Sequence, residues 1–284
     1  SRLFLYCRRA HALLFSRDAC RNLSSAEICI GLICFFGRIM KTNKSILTPE
    51  GMYSFAGKAL RPCFILAIIV ILAAMYVGFF LAPVDATQGN SYRILYIHVA
   101  CAWMAMLLYV VMAIFCSLGL ITENRLWPMV AASLAPTGCL MAFLALWTGS
   151  LWGRPTWGAY WVWDARLTSA LILFFFYLGY IALQNAIPDW RRADKACAVI
   201  GIVGVINVPI VYFSVQWWNT LHQGASITAS GSSIHPVMLW ALALMVIGFW
   251  LYTFAVTFVR LRSVILERER NQEWAQQLAL KGEL

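Results

Sequence analysis

Charged residues are scarce in this chain. Of 284 residues, only 12% are Asp, Glu, Lys or Arg, whereas 62% are hydrophobic. A soluble domain usually carries about 25% charged residues, because charges cover much of its surface. The shortage therefore excludes an ordinary soluble enzyme and a disordered chain, and it leaves an integral membrane protein as the expected class.

Several sequence motifs are missing as well. The nine cysteines form no C-x-x-C pair, so no disulfide or metal-binding framework is expected. A G-x-x-x-x-G-K loop is absent, so any use of ATP has to come from a partner protein. No nucleophile–base pair is recognisable, and we therefore predict that the chain is not an enzyme.

Six stretches are long and apolar enough to cross a membrane, which takes about 20 mainly apolar residues. Backbone groups in lipid must be satisfied within their own segment, so the stretches are expected to be helices. The sequence predicts an all-α integral membrane protein whose six-span domain covers residues 40–262, followed by a charged C-terminal tail, residues 263–284. The predicted spans are about 62–83, 94–121, 126–149, 167–188, 196–215 and 236–259.

The distribution of positive charge predicts the orientation. With six spans, both termini share one side of the membrane with two short connections, and that side holds 19 of the 22 Lys and Arg residues. Cytoplasmic loops are rich in Lys and Arg, so the termini are expected to face the cytoplasm or the mitochondrial matrix. Basic loops at a membrane account for the net charge of +10 without a nucleic acid partner. We expect a bacterial inner membrane protein, with the mitochondrial inner membrane as the alternative.

Residues 1–39 form a basic N-terminal extension that is poor in acidic residues. Its short apolar run, residues 28–36, is too short to span a membrane. A mitochondrial transit peptide has a similar composition. A non-native extension with the true start at Met40 or Met52 is the alternative, and the composition leaves both open.

Aromatic residues crowd one connection on the predicted outer side, residues 150–166. On a helix, Trp157, Trp161 and Asp164 would share a face, and on a strand Trp163 would join the two tryptophans instead. Either arrangement presents an aromatic surface to a planar apolar ligand, although an interfacial aromatic belt is the alternative. The aromatic residues of this connection are Trp152, Trp157, Tyr160, Trp161 and Trp163.

The last outward connection places a tryptophan pair, Trp217 and Trp218, beside His222. His98 and His235 also fall at outward helix ends. A neutral imidazole is a common axial ligand of haem iron, and two of them would give a six-coordinate site. Each histidine taken alone could equally be a solvated polar residue.

Only three cations lie on the predicted outer side, namely Arg93, Arg154 and Arg166. Arginines of this kind can bind haem propionates through charge-assisted hydrogen bonds. The alternative is that Arg166 pairs with Asp164 and that the other two are interfacial anchors.

The run WGAYWVWDARLTS at residues 157–169 resembles the tryptophan-rich WWD domain of haem-handling proteins in cytochrome c maturation. Residues 88–98, 148–150 and 217–224 narrow the resemblance to the haem exporter protein C (CcmC) family. The similarity extends over about residues 40–262, which is essentially the whole predicted membrane domain.

The resemblance implies a function and a set of ligands. It implies six spans with the WWD loop outside, haem b held by His98 and His222, and a haem platform made by the tryptophan loop. It does not imply that His235 is a ligand. It further implies that haem is passed to the haem chaperone of cytochrome c maturation, in cooperation with ABC transporter subunits and a small membrane subunit.

Two other functions remain as alternatives. A small-molecule permease usually carries ionisable residues within its spans, whereas the predicted spans contain no Asp, Glu, Lys or Arg. A WWD-type haem lyase acting on apocytochrome would be expected to have more spans and more histidines.

Overall fold

The computed structural model describes residues 46–222, 224, 227–228, 231–232 and 234–281. The predicted N-terminal extension, residues 1–39, lies outside the described residues.

Six helices in the described part of the chain are long and apolar enough to cross a membrane. The prediction of an all-α membrane fold with six such helices is therefore confirmed. The helices are α1 (Pro49–Tyr76, continued by a π-helical turn Val77–Leu81), α2 (Leu95–Thr122, preceded by a 3₁₀ turn Asn90–Ile94), α3 (Leu126–Trp157), α4 (Ala165–Ala186), the pair α5 (Trp190–Gly204) and α6 (Asn207–Trp217), and α7 (Pro236–Arg268). A short ribbon of β1 (Ile227–Thr228) and β2 (Gly231–Ser232) precedes α7, and α8 (Glu273–Lys281) follows it.

Helices α1, α3 and α7 are longer than the predicted spans. Helix α3 has 32 residues, which at 1.5 Å per residue gives about 48 Å against about 30 Å of hydrocarbon. A hydropathy window finds only the apolar part of such a helix. Consequently the connection assigned to residues 150–166 begins later, because residues 150–157 complete α3.

Helix α3 ends at a glycine. Gly158 has φ 80° and ψ −3°, and its N–H donates to the carbonyl of Arg154 at 3.1 Å. This left-handed conformation is favourable for glycine and is a common helix stop. Residues 158–164 then form neither a helix nor a strand. The two predicted arrangements, in which Trp157 and Trp161 share one face of a helix or of a strand, therefore do not occur.

The predicted charged tail, residues 263–284, is also partly helical. Helix α7 continues to Arg268, and α8 covers Glu273–Lys281. The residues of α7 after the apolar run can remain helical because charged residues such as Arg and Glu are good helix formers.

Helices α2 and α3 form the centre of the bundle. In its most apolar stretch, α3 has 61% of its residues buried, whereas α1 has 17%. Close packing depends on small residues. A Cβ at Gly138 of α3 would overlap the ring of Tyr177, and one at Gly204 would overlap Tyr109. Small residues at helix contacts let backbones approach, as is typical of helix packing in membranes.

Candidate functional site

A cavity of about 940 Å³, counting its open mouth, lies at the end of the bundle that carries residues 150–164. We call this the histidine end, because both His98 and His222 line the cavity. Most of the cavity wall is made by small or apolar residues of α2, α3 and α4. Those that lie far along the helices include Ala102, Ala105, Met106, Ala142, Ala145, Ala170 and Leu173.

His98 lies in the first turn of α2 and points its Nδ1 at α3. This nitrogen is 3.0 Å from the carbonyl oxygen of Ala145 and 3.2 Å from the hydroxyl of Thr148. A carbonyl can only accept, so Nδ1 carries the proton. In the neutral ring the lone pair is then on Nε2, which is the atom that can bind a metal.

Two glycines make room for this arrangement on α3. A Cβ at Gly149 would lie 2.8 Å from Cε1 of His98. A Cβ at Gly153, one turn later, would lie 3.0 Å from the carbonyl oxygen of Ala159 and 3.1 Å from the Trp157 ring. The glycine pair therefore allows both the histidine and the following loop to pack on the helix backbone.

Trp152 holds the other side of the His98 ring. Its indole meets the imidazole edge-to-face, with ring centroids 5.6 Å apart and an angle of 77°. Its Nε1 donates to Oε1 of Gln88 at 2.7 Å, and Tyr92 packs against it at 5.8 Å. Trp152 is only 8% exposed, so its orientation is well fixed.

Gln88 belongs to a tight turn before α2. The carboxylate of Asp85 accepts from the backbone N–H of Gln88 at 2.8 Å and of Thr87 at 3.0 Å, and from the Thr87 hydroxyl at 2.8 Å. The Gln88 hydrogen bond, with those from Thr87, lowers the pKa of Asp85. The turn thus fixes the residue that orients Trp152.

His222 lies across the cavity from His98. The two ring centroids are 6.4 Å apart with an angle of 35° between the ring planes. The ring of Trp157 lies 6.3 Å from His222. Two imidazoles that bind opposite sides of one metal ion, each at about 2.0–2.1 Å from the nitrogen, have centroids roughly 6.3 Å apart. The observed separation therefore suits a metal held between them.

The other ligands of such a metal would come from its own macrocycle. Within the described ranges, no group of three or more His, Cys, Asp and Glu side chains is arranged to hold a bare metal ion. Two imidazoles above and below a flat ring match haem iron. The apolar wall of the cavity suits the rest of a porphyrin.

The predicted aromatic residues divide into two groups. Trp152, Trp157 and Trp161 line the cavity. The indole Nε1 of Trp161 is buried and has no hydrogen-bond partner among the described residues. A buried donor without a partner is costly, and it is a natural contact for a polar group of a ligand.

The second group lies outside the cavity lining. Tyr160, Trp163, Trp217 and Trp218 are each at least half exposed. Trp217 stacks on Phe213 at 5.3 Å and meets Trp218 edge-on at 5.8 Å. These rings form an aromatic surface at the same end of the bundle rather than a wall of the cavity.

The polar candidates have separate positions. Arg166 lines the cavity and donates to the carbonyls of Val211 at 2.8 Å and Tyr212 at 3.4 Å. Asp164 caps α4 by accepting from the N–H of Leu167 at 2.8 Å. Among the described side chains these two do not form an ion pair, so the simple pairing considered above does not occur.

Two predicted residues serve the local backbone instead. Arg154 donates to the carbonyl of Gly158 at 2.5 Å and lies 5.8 Å over the Tyr160 ring. His235 caps α7, because its Nδ1 accepts from the N–H of Val237 at 3.3 Å. Neither of them lines the cavity.

Four residues of the site were not among the candidates chosen from the sequence, namely Gln88, Thr148, Gly149 and Gly153. Gln88, Thr148 and Gly149 lie in the stretches that carry the family resemblance. Their polar or small side chains beside apolar runs could have marked them as site residues. The partner that each residue contacts, however, depends on helix packing.

A family model described as "CcmC: Heme exporter protein C" matches residues 43–276. The chain belongs to this family. The match includes every described residue of the cavity and leaves residues 1–42 outside it.

Several curated relatives share this family name. The "Heme exporter protein C" of Escherichia coli strain K12 is 42% identical over 241 residues, which is 85% of this chain and 98% of the relative. The protein of the same name from Bradyrhizobium diazoefficiens is 48% identical over 71% of this chain and 77% of its own length. A "putative cytochrome c biosynthesis ccmC-like mitochondrial protein" of Marchantia polymorpha is 45% identical over 68% of this chain and 82% of its own length.

Proposed function

We propose that this protein binds haem b between His98 and His222 and handles it during cytochrome c biogenesis. The observation that carries the proposal is the pair of imidazoles whose ring centroids are 6.4 Å apart and which line one mainly apolar cavity. Family membership and the names of the relatives support the same role.

The residues around the cavity have complementary tasks in this proposal. Nε2 of His98 is the ligand atom, since Nδ1 is used by Ala145 and Thr148. Trp152 and Trp157 pack beside the imidazoles and keep them oriented. Arg166 is the cation that lines the cavity, and it is the best candidate to bind a haem propionate.

Haem is cargo in this account, so no catalytic step is assigned to the chain. Two axial histidines leave no open position on the iron, which suits holding and passing on haem better than activating oxygen. The receiver would be the haem chaperone of the pathway, with ABC transporter subunits and a small membrane subunit as further partners. The exposed rings of Tyr160, Trp163, Trp217 and Trp218 lie at the histidine end and could contact such a receiver.

The charge distribution and the relatives support the proposed location. The positive-inside rule puts the histidine end outside the cytoplasm or the matrix. Relatives come from bacteria and from plants with a mitochondrial designation. We propose a bacterial inner membrane, with the mitochondrial inner membrane as the second possibility.

The test is haem retention by the purified full-length chain. We expect His98→Ala and His222→Ala each to reduce the haem bound per protein at least 10-fold, because each removes an axial ligand. His235→Ala is the matched control: it is the remaining histidine at this end and lies outside the cavity lining. Full haem content in both His98→Ala and His222→Ala would refute the site.

A further inference from the structure

A second concave surface lies at the opposite end of the bundle, between α1 and α7. It is an open groove of about 1210 Å³, and we call it the basic groove because its charged lining residues are all cations, namely Lys58, Arg61 and Arg262. No acidic residue is among those that line it. Its remaining lining residues are Tyr53, Gly57, Leu60, Val259, Ser263 and Leu266.

The cations of the basic groove differ from their neighbours in having no acidic partner among the described residues. Close by, Arg268 is bidentate on Asp194 and Arg125 pairs with Glu269. Lys58 and Arg61 form no ion pair within the part of the chain that the structure describes. Three positive charges that share one groove repel each other, so a bound anion would relieve a real cost.

Arg262 is held in place toward the groove. Its guanidinium lies 4.2 Å over the Tyr53 ring, and Nη2 donates to the Tyr53 hydroxyl at 2.8 Å. Gly57 provides the space, because a Cβ there would overlap Nη1 of Arg262. Arginine has five N–H donors in a planar fork that suits phosphate, and only one of them is used toward Tyr53.

The groove lies where both helices pass from polar to apolar sequence. In α1, Lys58 and Arg61 come just before Pro62, where an uncharged run of more than 20 residues begins. In α7, Arg262 follows Val259, which ends the apolar stretch. The groove is thus at the level of lipid headgroups, at the boundary of the hydrocarbon region.

Apolar surface continues from the groove into the membrane. Phe254 of α7, two turns before Arg262 on the side of the apolar run, stacks with Phe258 at 6.2 Å. Val259 and Phe254 are each more than 40% exposed. A ligand with a phosphate head and acyl chains would contact both the cations of the groove and this apolar surface. A free phosphate would contact only the cations.

We propose that the basic groove binds the phosphate headgroup of an anionic phospholipid, with its acyl chains against Phe254 and Phe258. Basic pockets between membrane helices are a known type of lipid site, and each nearby cation adds about 1 kcal/mol of attraction. The proposal concerns a site remote from His98 and His222, and it stands independently of haem binding.

The test measures lipid binding to the purified full-length chain by native mass spectrometry. Phosphatidylglycerol, phosphatidylcholine and inorganic phosphate are added separately to the unaltered chain and to K58Q/R61Q. The matched control is R191Q/R192Q, which removes the same charge from two exposed arginines of α5. We expect K58Q/R61Q to bind phosphatidylglycerol roughly 30-fold more weakly, or about 2 kcal/mol, and the control to change less than 3-fold.

Three results would overturn the proposal. One is equal phosphatidylglycerol binding by K58Q/R61Q and R191Q/R192Q. Another is equal binding of phosphatidylcholine and phosphatidylglycerol by the unaltered chain. The third is displacement of phosphatidylglycerol by millimolar inorganic phosphate. If K58Q/R61Q does not fold, the charge-conserving variant K58R/R61K replaces it. This variant must retain phosphatidylglycerol binding. R191Q/R192Q remains the control.

Discussion

The two ends of the bundle use their charged residues differently. At the histidine end, charged side chains bind the backbone. Arg93 donates to the carbonyls of Gly78 and Phe79 at 2.6 and 2.7 Å, and Asp164 accepts from an N–H of α4. These residues fix helix ends and loops around the cavity without forming ion pairs with one another.

At the basic end, which carries the basic groove and α8, the charged side chains outside the groove form ion pairs with each other. Arg268 and Asp194 are 2.8 Å apart, and Arg125 and Glu269 are 3.3 Å apart. These pairs join α7 to α5 and to the connection before α3. At the basic end, ion pairs between side chains connect the helices. At the histidine end, charged side chains bind backbone groups, and the cavity is available for a ligand.

Breaking the main pair at the basic end should have the largest effect on stability. Asp194→Asn removes one partner of a pair whose side chains are only 7% and 17% exposed. We expect the free energy of unfolding to fall by about 3 kcal/mol, because the guanidinium of Arg268 is left largely buried without a counter-charge. Reversible unfolding in detergent measures this loss.

A matched control uses an exposed arginine. Arg191→Gln removes an exposed side chain of α5 that forms no ion pair among the described residues, so its cost should stay below about 1 kcal/mol. Haem content per folded protein should be unchanged in both variants. If Asp194→Asn lowered the haem content without a loss of stability, the ion pairs of the basic end would not be separate from ligand binding at the histidine end, and the comparison would be contradicted.

Filling the space beside His98 should lower haem affinity but not stability, which is the reverse of the effect expected for Asp194→Asn. Gly149→Ala places a Cβ within 2.8 Å of the imidazole, so the ring must shift away from Ala145. We expect haem affinity to fall about 10-fold, while the stability of the helix is retained because Ala is the better helix former. Haem titration followed by absorption measures the change.

Gly179→Ala is the control for this variant. A Cβ at Gly179 would meet only Ile200, at 4.0 Å, so the same substitution adds helix propensity without crowding. Its haem affinity should match that of the unaltered chain. Equal haem affinities for Gly149→Ala and Gly179→Ala would show that the position of the His98 ring does not affect haem binding.

The smallest effect is expected at the support of Trp152. Gln88→Ala removes the acceptor of the 2.7 Å hydrogen bond from the indole. A hydrogen bond contributes about 1 kcal/mol, so haem affinity should fall roughly 5-fold. Asn90→Ala, which removes only a contact to Arg93, should leave the titration unchanged.

Much of the fold was predictable because its signal is local. Six apolar runs are visible in the sequence, and six apolar helices follow from the cost of unpaired backbone groups in lipid. The ends of the helices were not predictable in the same way. Residues 150–157 are helical outside the apolar run, where hydropathy no longer distinguishes a helix from a loop.

The site was predictable only in part, for a physical reason. Because histidine is rare in this chain, the three outward histidines stand out, and the family resemblance singles out His98 and His222. Their separation, and the roles of Gly149 and Gln88, depend on contacts between residues more than 50 positions apart in the chain. Such contacts follow from helix packing and leave no pattern within any one segment.

The most direct test of the central claim is the absorption spectrum of the haem complex with and without added imidazole. The account predicts a six-coordinate low-spin spectrum for the unaltered chain. His98→Ala and His222→Ala should each lose this spectrum, and free imidazole should restore it by entering the space left by the missing ring. Unchanged low-spin spectra in both variants before imidazole is added would contradict the claim that His98 and His222 hold the iron.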